Sequence, residues 1–127
     1  GLQDSLELGD TTARRDWSFA PDVMRGAHAS LQRDVPDDYV FASGESHSVQ
    51  EFVNIAFNML ALDPKQYVKV NEKYKRPTEI MELVGDCSKA KKLLGWEPSI
   101  SFREIVQRMV AYDLSTSFNS CSRANPN

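Results

Sequence analysis

Three short stretches of this chain have residue types and spacing suited to chemistry. Arg14-Arg15-Asp16 precedes Trp17 in a polar, loop-like segment. A guanidinium can fork onto two phosphate oxygens, and an Asp or aromatic neighbour can hold it still. Spacing alone favours a solvated surface pair over that anion fork. Arg76-Pro77-Thr78-Glu79 is the second stretch. Pro77 fixes its own φ and biases Arg76 away from helix, so a cation and an acceptor come from one stiffened loop. That pair suits the phosphates and ribose hydroxyls of a nucleoside diphosphate, and it suits a local salt bridge equally well. The third is the run Gly85-Asp86-Cys87-Ser88-Lys89-Ala90-Lys91-Lys92-Leu93-Leu94-Gly95-Trp96. Its lysines read as a solvated helix face near a negative C-terminus.

Other candidates take plainer readings. His47 lies just before a capping box, and a turn histidine bonding locally is favoured over catalysis. His28 shares a predicted apolar stripe with Met24 and Leu31 and reads as a half-buried structural residue. The glycines at 1, 9, 26, 44, 85 and 95 cannot form Gly-x-Gly-x-x-Gly or a phosphate loop. Four residues after Tyr39, Tyr67, Tyr74 and Tyr112 stand Ser43, Asn71, Thr78 and Thr116, so no Tyr-x-x-x-Lys pair supplies a phenolate base. Two cysteines and two histidines make neither a metal pattern nor a disulfide framework.

The elements that must position these residues follow from periodicity and caps. Ser5–Leu8 alternates like a short strand stopped by Gly9. Pro21 and Asp22 suit the first turn of a helix with a stripe Val23, Met24, Ala27, His28, Leu31. Tyr39–Ala42 predicts a buried strand and Gly44–His47 a turn. Ser48-Val49-Gln50-Glu51 is a capping box opening a helix that carries Val49, Phe52, Val53, Ala56, Phe57 and Leu60, ending near Asp63-Pro64. Tyr67–Val70 alternates like a strand, and Ile80–Val84 is expected to be extended. Asp86 or Ser88 caps a short helix stopped by Gly95. Ser101-Phe102-Arg103-Glu104 is a second capping box, before a helix facing inward with Phe102, Ile105, Val106, Met109 and Val110. The pattern is α/β: three or four amphipathic helices with a few short strands. Residues 1–114 are expected to form one unit, with 115–127 a frayed tail.

The chain has 127 residues, of which 41% are hydrophobic and 26% charged, with a net charge of -3. One domain with a core is feasible. The acidic balance argues against a general nucleic-acid binder. No stretch approaches the ~20 apolar residues of a membrane span. The free thiols and the lack of a signal peptide suggest a cytoplasmic protein. The chain opens at Gly1 without an initiator Met and reads as part of something longer.

Taken in order, Ala13–Trp17, Pro36–Val40, Gly44–Val49, Arg76–Glu79 and Gly85–Trp96 resemble the C-terminal region of the GDP-mannose 4,6-dehydratases, extended short-chain dehydrogenases/reductases. The resemblance covers about Leu6 to Leu114. It implies the substrate domain of a two-part lyase. The other part, a Rossmann half absent here, would hold NADP and the catalytic residues, so neither a cofactor nor a catalytic residue is assigned to this chain. The implied ligand is GDP-mannose or a related GDP-sugar, on the route to GDP-fucose, and the complete enzyme is expected to be a homo-oligomer. Carried over by position, Arg15 and Arg76 would contact the diphosphate from two sides, Glu79 would accept the ribose hydroxyls, and the Gly9 loop would pass its backbone beside the nucleotide. Departures are Asp10-Thr11 for Asn-Leu, Ser18 for a Gly after Trp17, His28 for a Trp and Lys75 for an aromatic. Asp10 could repel a phosphate, and Ser18 would cost about a kcal/mol if that position required positive φ. Sister segments of GDP-4-keto-6-deoxymannose reductases or NDP-sugar epimerases share the implied fold, and a stand-alone binding module is a third reading.

Overall fold

A computed structural model of the protein describes residues 3–75 and 80–123, with side chains described as far as residue 116. Among the described residues are five α-helices and four three-residue strands, interspersed in a mixed α/β arrangement. Strand β1 (Leu6–Leu8) pairs in parallel with β4 (Val68–Val70), and β2 (Arg14–Asp16) pairs antiparallel with β3 (Ser46–Ser48). The helices are α1 (Ala20–Leu31), α2 (Val49–Met59), α3 (Pro64–Tyr67), α4 (Ser88–Leu94) and α5 (Phe102–Arg123).

The caps form as their residues require. Ser48 Oγ accepts from the Glu51 amide, and the Glu51 carboxylate accepts from the Ser48 amide, fixing the start of α2. Ser101 and Glu104 make the same reciprocal pair at the start of α5. Gly95 ends α4 in the left-handed conformation, at φ 63°. The start of α4 differs from expectation: its N-cap is Cys87, without a side-chain cap bond, rather than Asp86 or Ser88, and Asp86 only accepts from the Ser88 amide just ahead of the helix. The backbone of α5 continues past Ser115, where the sequence suggests a frayed tail.

Helix α2 packs on α5, and the ring of Phe102 is the centre of that contact. It stacks on His47 at 4.1 Å and meets Trp17 and Phe52 at 5.9 and 6.3 Å. Val53, Ile105 and Val106 are buried around it. A second cluster joins α1 to α4 and the turn after it. There Trp96 meets Phe41 edge-on at 5.0 Å and donates its indole N–H to the Asp22 carbonyl at 2.7 Å.

Several sequence expectations are corrected here. Tyr39–Ala42 is neither strand nor uniformly buried: it takes no ladder, and Val40 is 50% exposed while Ala42 is buried. The expected turn at Gly44–His47 instead feeds β3, which contains His47. Helix α1 presents a different face from the apolar stripe read in the sequence. Asp22 and Gly26 are buried, Met24 and Leu31 are 66% and 81% exposed, and His28 is exposed rather than half-buried. The inward face is chosen by a hydrogen-bonded carboxylate and by a glycine that lets two rings approach. A Cβ on Gly26 would lie 2.5 Å from the Phe41 ring and 2.9 Å from the Trp96 indole nitrogen. Helix α2 ends at Met59, short of Asp63-Pro64, and Ala61 makes the reversal at φ 53°. Helix α3 then follows, unread in the sequence. Ala61 is the one non-glycine residue of positive φ among the described residues, so Ser18 carries no such strain.

Candidate functional site

The site is built on β2. Its three residues are polar and make an unusual strand: each side chain takes hold of a different part of the segment that follows residues 76–79. The Arg15 guanidinium donates through Nη1 to the Ile80 carbonyl at 2.6 Å and to the Arg14 carbonyl at 2.7 Å. The Arg14 amide donates to the Met81 carbonyl at 2.7 Å, and the Leu83 amide returns a bond to the Arg14 carbonyl at 3.3 Å. The Arg14 side chain lies 3.5 Å from the Glu82 carboxylate and 3.2 Å from that of Glu51. Ser46 on β3 also donates its hydroxyl to Glu82. The Asp16 carboxylate accepts from the Gly85 amide at 3.1 Å. Residues 80–85 are thus extended beside β2, as the sequence suggests, with Arg14 and Glu82 in parallel register.

Asp16 also holds the turn before β3. It accepts from the Ser43 amide and hydroxyl at 2.7 and 2.6 Å and from the Gly44 amide at 2.9 Å. Burial raises the affinity of this carboxyl for a proton, but bonds from Ser43, Gly85 and Gly44 outweigh it and hold the pKa below the usual carboxylate value. Glu51 behaves alike: burial works upward, and donors from Ser48, His47 and Arg14 bring the net shift down.

His47 is fixed by its neighbours. Its Nδ1 meets Glu51 at 2.9 Å, its ring lies against Phe102, and its backbone carbonyl accepts the Trp17 indole N–H at 2.9 Å. This is the local hydrogen bonding expected of it, with the ring serving α2 and α5. Two of the three α4 lysines make surface pairs, Lys89 with Asp37 at 2.6 Å and Lys91 with Glu97 at 2.9 Å.

Gly9 stands where β1 leaves the sheet, against the chain that leads towards residues 76–79. A Cβ there would lie 2.5 Å from the Tyr74 carbonyl oxygen and 2.9 Å from its carbon, so only glycine permits this approach. The Asn71 amide ties the same stretch to the Leu8 carbonyl at 2.8 Å. The Asp10 carboxylate is turned onto Thr12, accepting its amide and hydroxyl at 2.8 and 2.6 Å. Of the four residues singled out from the sequence, Gly9 touches the residues just before 76–79 and Arg15 touches the residue just after. Arg76 and Glu79 lie outside the described residues. Sequence reasoning missed Asp16, Glu82 and Gly85 as partners. The only signal was the polarity of Arg14-Arg15-Asp16 itself.

A family model described as GDP-mannose 4,6 dehydratase matches residues 1–109. The chain belongs to the GDP-mannose 4,6-dehydratase family. It is 46% identical over 114 residues to GDP-mannose 4,6 dehydratase 1 of Arabidopsis thaliana, covering 90% of this chain and 32% of that one. Identity to the human GDP-mannose 4,6 dehydratase is 38% over 144 residues, covering 100% of this chain and 37% of the relative. The chain therefore spans about a third of the length of the curated relatives it matches. Among solved structures, UDP-glucose 4-epimerase of Thermotoga maritima with UDP-glucose superposes with a TM-score of 0.75 at 23% identity, over 88% of this chain and 35% of the other. The dTDP-glucose 4,6-dehydratase of Bacillus anthracis in complex with NAD gives 0.75 at 21%, over 86% and 34%. At such identities the likeness is one of fold. This family segment thus shares its α/β fold with about a third of each of those enzymes. Among the described residues no helix is long and apolar enough to cross a membrane.

Proposed function

We propose that this chain is the GDP-sugar-binding C-terminal part of a GDP-mannose 4,6-dehydratase, a lyase converting GDP-mannose to GDP-4-keto-6-deoxymannose. The family match over residues 1–109 carries the reading. Arg15 and Arg76 would hold the diphosphate, Glu79 the ribose hydroxyls, and the Gly9 backbone would pass beside the nucleotide. The contact of Arg15 with Ile80 supports it, because it ties one proposed cation to the residue that follows the Arg76–Glu79 stretch in sequence. The turn of Asp10 onto Thr12 supports it too, since that carboxylate already has its donors.

NADP does not fit the described residues. The turn after β1, Gly9-Asp10-Thr11, leads to another strand rather than to a helix N-terminus, and each sheet has two strands. NADP, the catalytic residues and the contacts of a homo-oligomer would come from the remaining two thirds of a family protein, and the setting would be the cytoplasm. The work left to this chain is to bind and orient the GDP moiety. An epimerase segment shares the fold, but the solved UDP-glucose 4-epimerase of Thermotoga maritima is 23% identical, against 46% and 38% for the Arabidopsis thaliana and human GDP-mannose 4,6 dehydratases.

Calorimetry with GDP and GDP-mannose tests this. The chain should bind both, and Arg15→Ala and Arg76→Ala should each weaken binding by about 1.5–3 kcal/mol, the range for hydrogen bonds to charged groups. It should yield no 4-keto product from GDP-mannose and NADP. Equal affinity of the folded variants and the parent would remove those arginines from the site, and product formed by the chain alone would refute the division of labour.

A further inference from the structure

The hold of β2 on residues 80–85 is unevenly distributed. Arg15 takes the entry at Ile80 and Arg14 the middle. Among the described residues, its backbone pairing is confined to the Arg14–Glu82 bridge, so the segment has little ladder of its own. The exit is held by one carboxylate. Asp16 receives the Gly85 amide together with three close donors from Ser43 and Gly44 and the Ser18 hydroxyl at 3.5 Å, which fills the roughly four acceptor sites that an ionised carboxylate offers. Gly85 can present its N–H there only because it lacks a side chain: a Cβ would run into the Ala42 Cβ.

We propose that Asp16 is a positioning residue for the nucleotide grip: by anchoring Gly85 and the 43–44 turn together on β2, it sets where the chain leaving residues 76–79 lies relative to Arg15. The proposal rests on reading Arg15, Arg76 and Glu79 as that grip. Asp16 itself touches no ligand. It acts by removing the freedom of the segment to slide or lift, which would otherwise be lost only on binding. An Asn cannot replace it, because its NH₂ would face donors where an acceptor is needed.

The test uses the 127-residue chain and three variants: Asp16→Asn, Gly85→Ala and, as a core control away from β2, Val106→Ala. Amide exchange by NMR reads the anchor, and calorimetry with GDP reads its consequence. In Asp16→Asn, exchange at Leu83 and Gly85 should quicken at least tenfold while the amides of α2 and α5 keep their rates, and GDP should bind at least tenfold more weakly. Gly85→Ala should do the same with the carboxylate intact, and it carries the test if Asp16→Asn does not fold. Val106→Ala should lower the melting temperature yet keep GDP affinity within twofold at a temperature where the variants are fully folded. Unchanged exchange at Gly85 in Asp16→Asn overturns the proposal. So does GDP affinity within twofold of the parent, or an equal loss in Val106→Ala. A parent chain that fails to bind GDP defeats the nucleotide reading instead, and the exchange arm still decides the anchor.

Discussion

Asp22 shows how much one residue's meaning depends on what surrounds it. In sequence it is an acid in the first turn of a helix, suited to the positive end of the dipole. In the structure it is 3% exposed and joins α1 to the turn after α4. The Ser99 amide and hydroxyl both donate to it at 2.7 Å, and Arg25 does so at 2.8 Å. Burial raises its proton affinity, but the Ser99 bonds and the Arg25 charge reverse this, and the net pKa is lowered. Removing the carboxylate leaves the Ser99 N–H without its acceptor in a part-buried place. Asp22→Ala should therefore cost about 2–4 kcal/mol, read as a lower urea midpoint at unchanged slope. The Lys91–Glu97 pair is nearly as short, at 2.9 Å, but both side chains are more than 60% exposed. Lys91→Ala should leave the midpoint within measurement scatter, because solvent screens such pairs.

At the scale of elements, the sequence carries a strong signal where one local rule decides the outcome. Both capping boxes and the Gly95 stop form where their residues place them, because each needs contacts only three or four residues apart. The β2–β3 pair was invisible for the opposite reason. Arg14–Asp16 and Ser46–Ser48 have no alternation of apolar and polar residues, and bonds from side chains to distant backbone hold them. Tyr39–Ala42 reads as a strand by composition but finds no ladder partner among the described residues. The face of α1 was misread because a stripe of Met and Leu marks a core only if something apolar covers it. Gly26 shows what replaces it. Ala is intrinsically better than Gly in a helix by about 1 kcal/mol. Against that, its methyl would strike Phe41 and displace the indole that bonds the Asp22 carbonyl. Gly26→Ala should therefore destabilise, by about 1–3 kcal/mol, the usual cost of overpacking. A variant with a raised melting temperature would show that α1 moves outward freely. Of the candidate site, the sequence singles out Gly9 and Arg15, but Ser43 and Gly85, the partners of the neighbouring Asp16, lie 27 and 69 positions from it, and spacing cannot reveal them.

At the scale of the whole molecule, the balance of forces makes acid the sharpest probe. The apolar core is thin. Val106, Ala90 and Trp96 are almost wholly buried, while Met24, Leu31, Met81, Met109 and Tyr112 stay open to solvent. Cohesion between elements falls instead to carboxylates that collect backbone donors from distant segments. Asp16 joins β2 to residues 43–44 and to Gly85, Asp22 joins α1 to Ser99, and Glu51 joins α2 to β2 and β3. All three have pKa values lowered in the fold. The unfolded chain binds protons at these groups near pH 4, where the folded chain still resists them, so stability rises with pH through that window. The contribution is complete above the ordinary carboxylate range and drains away as pH falls through the lowered folded values. Denaturant titrations at a series of pH values should show a plateau from about pH 5 upward and a steep decline below about pH 4. Asp22→Asn should start lower at neutral pH and lose less on acidification, because one of the three linked protonations is gone. If its acid slope matched that of the parent chain, Asp22 would not be among the groups whose protonation loosens the fold, and the decline would have to come from surface carboxylates instead.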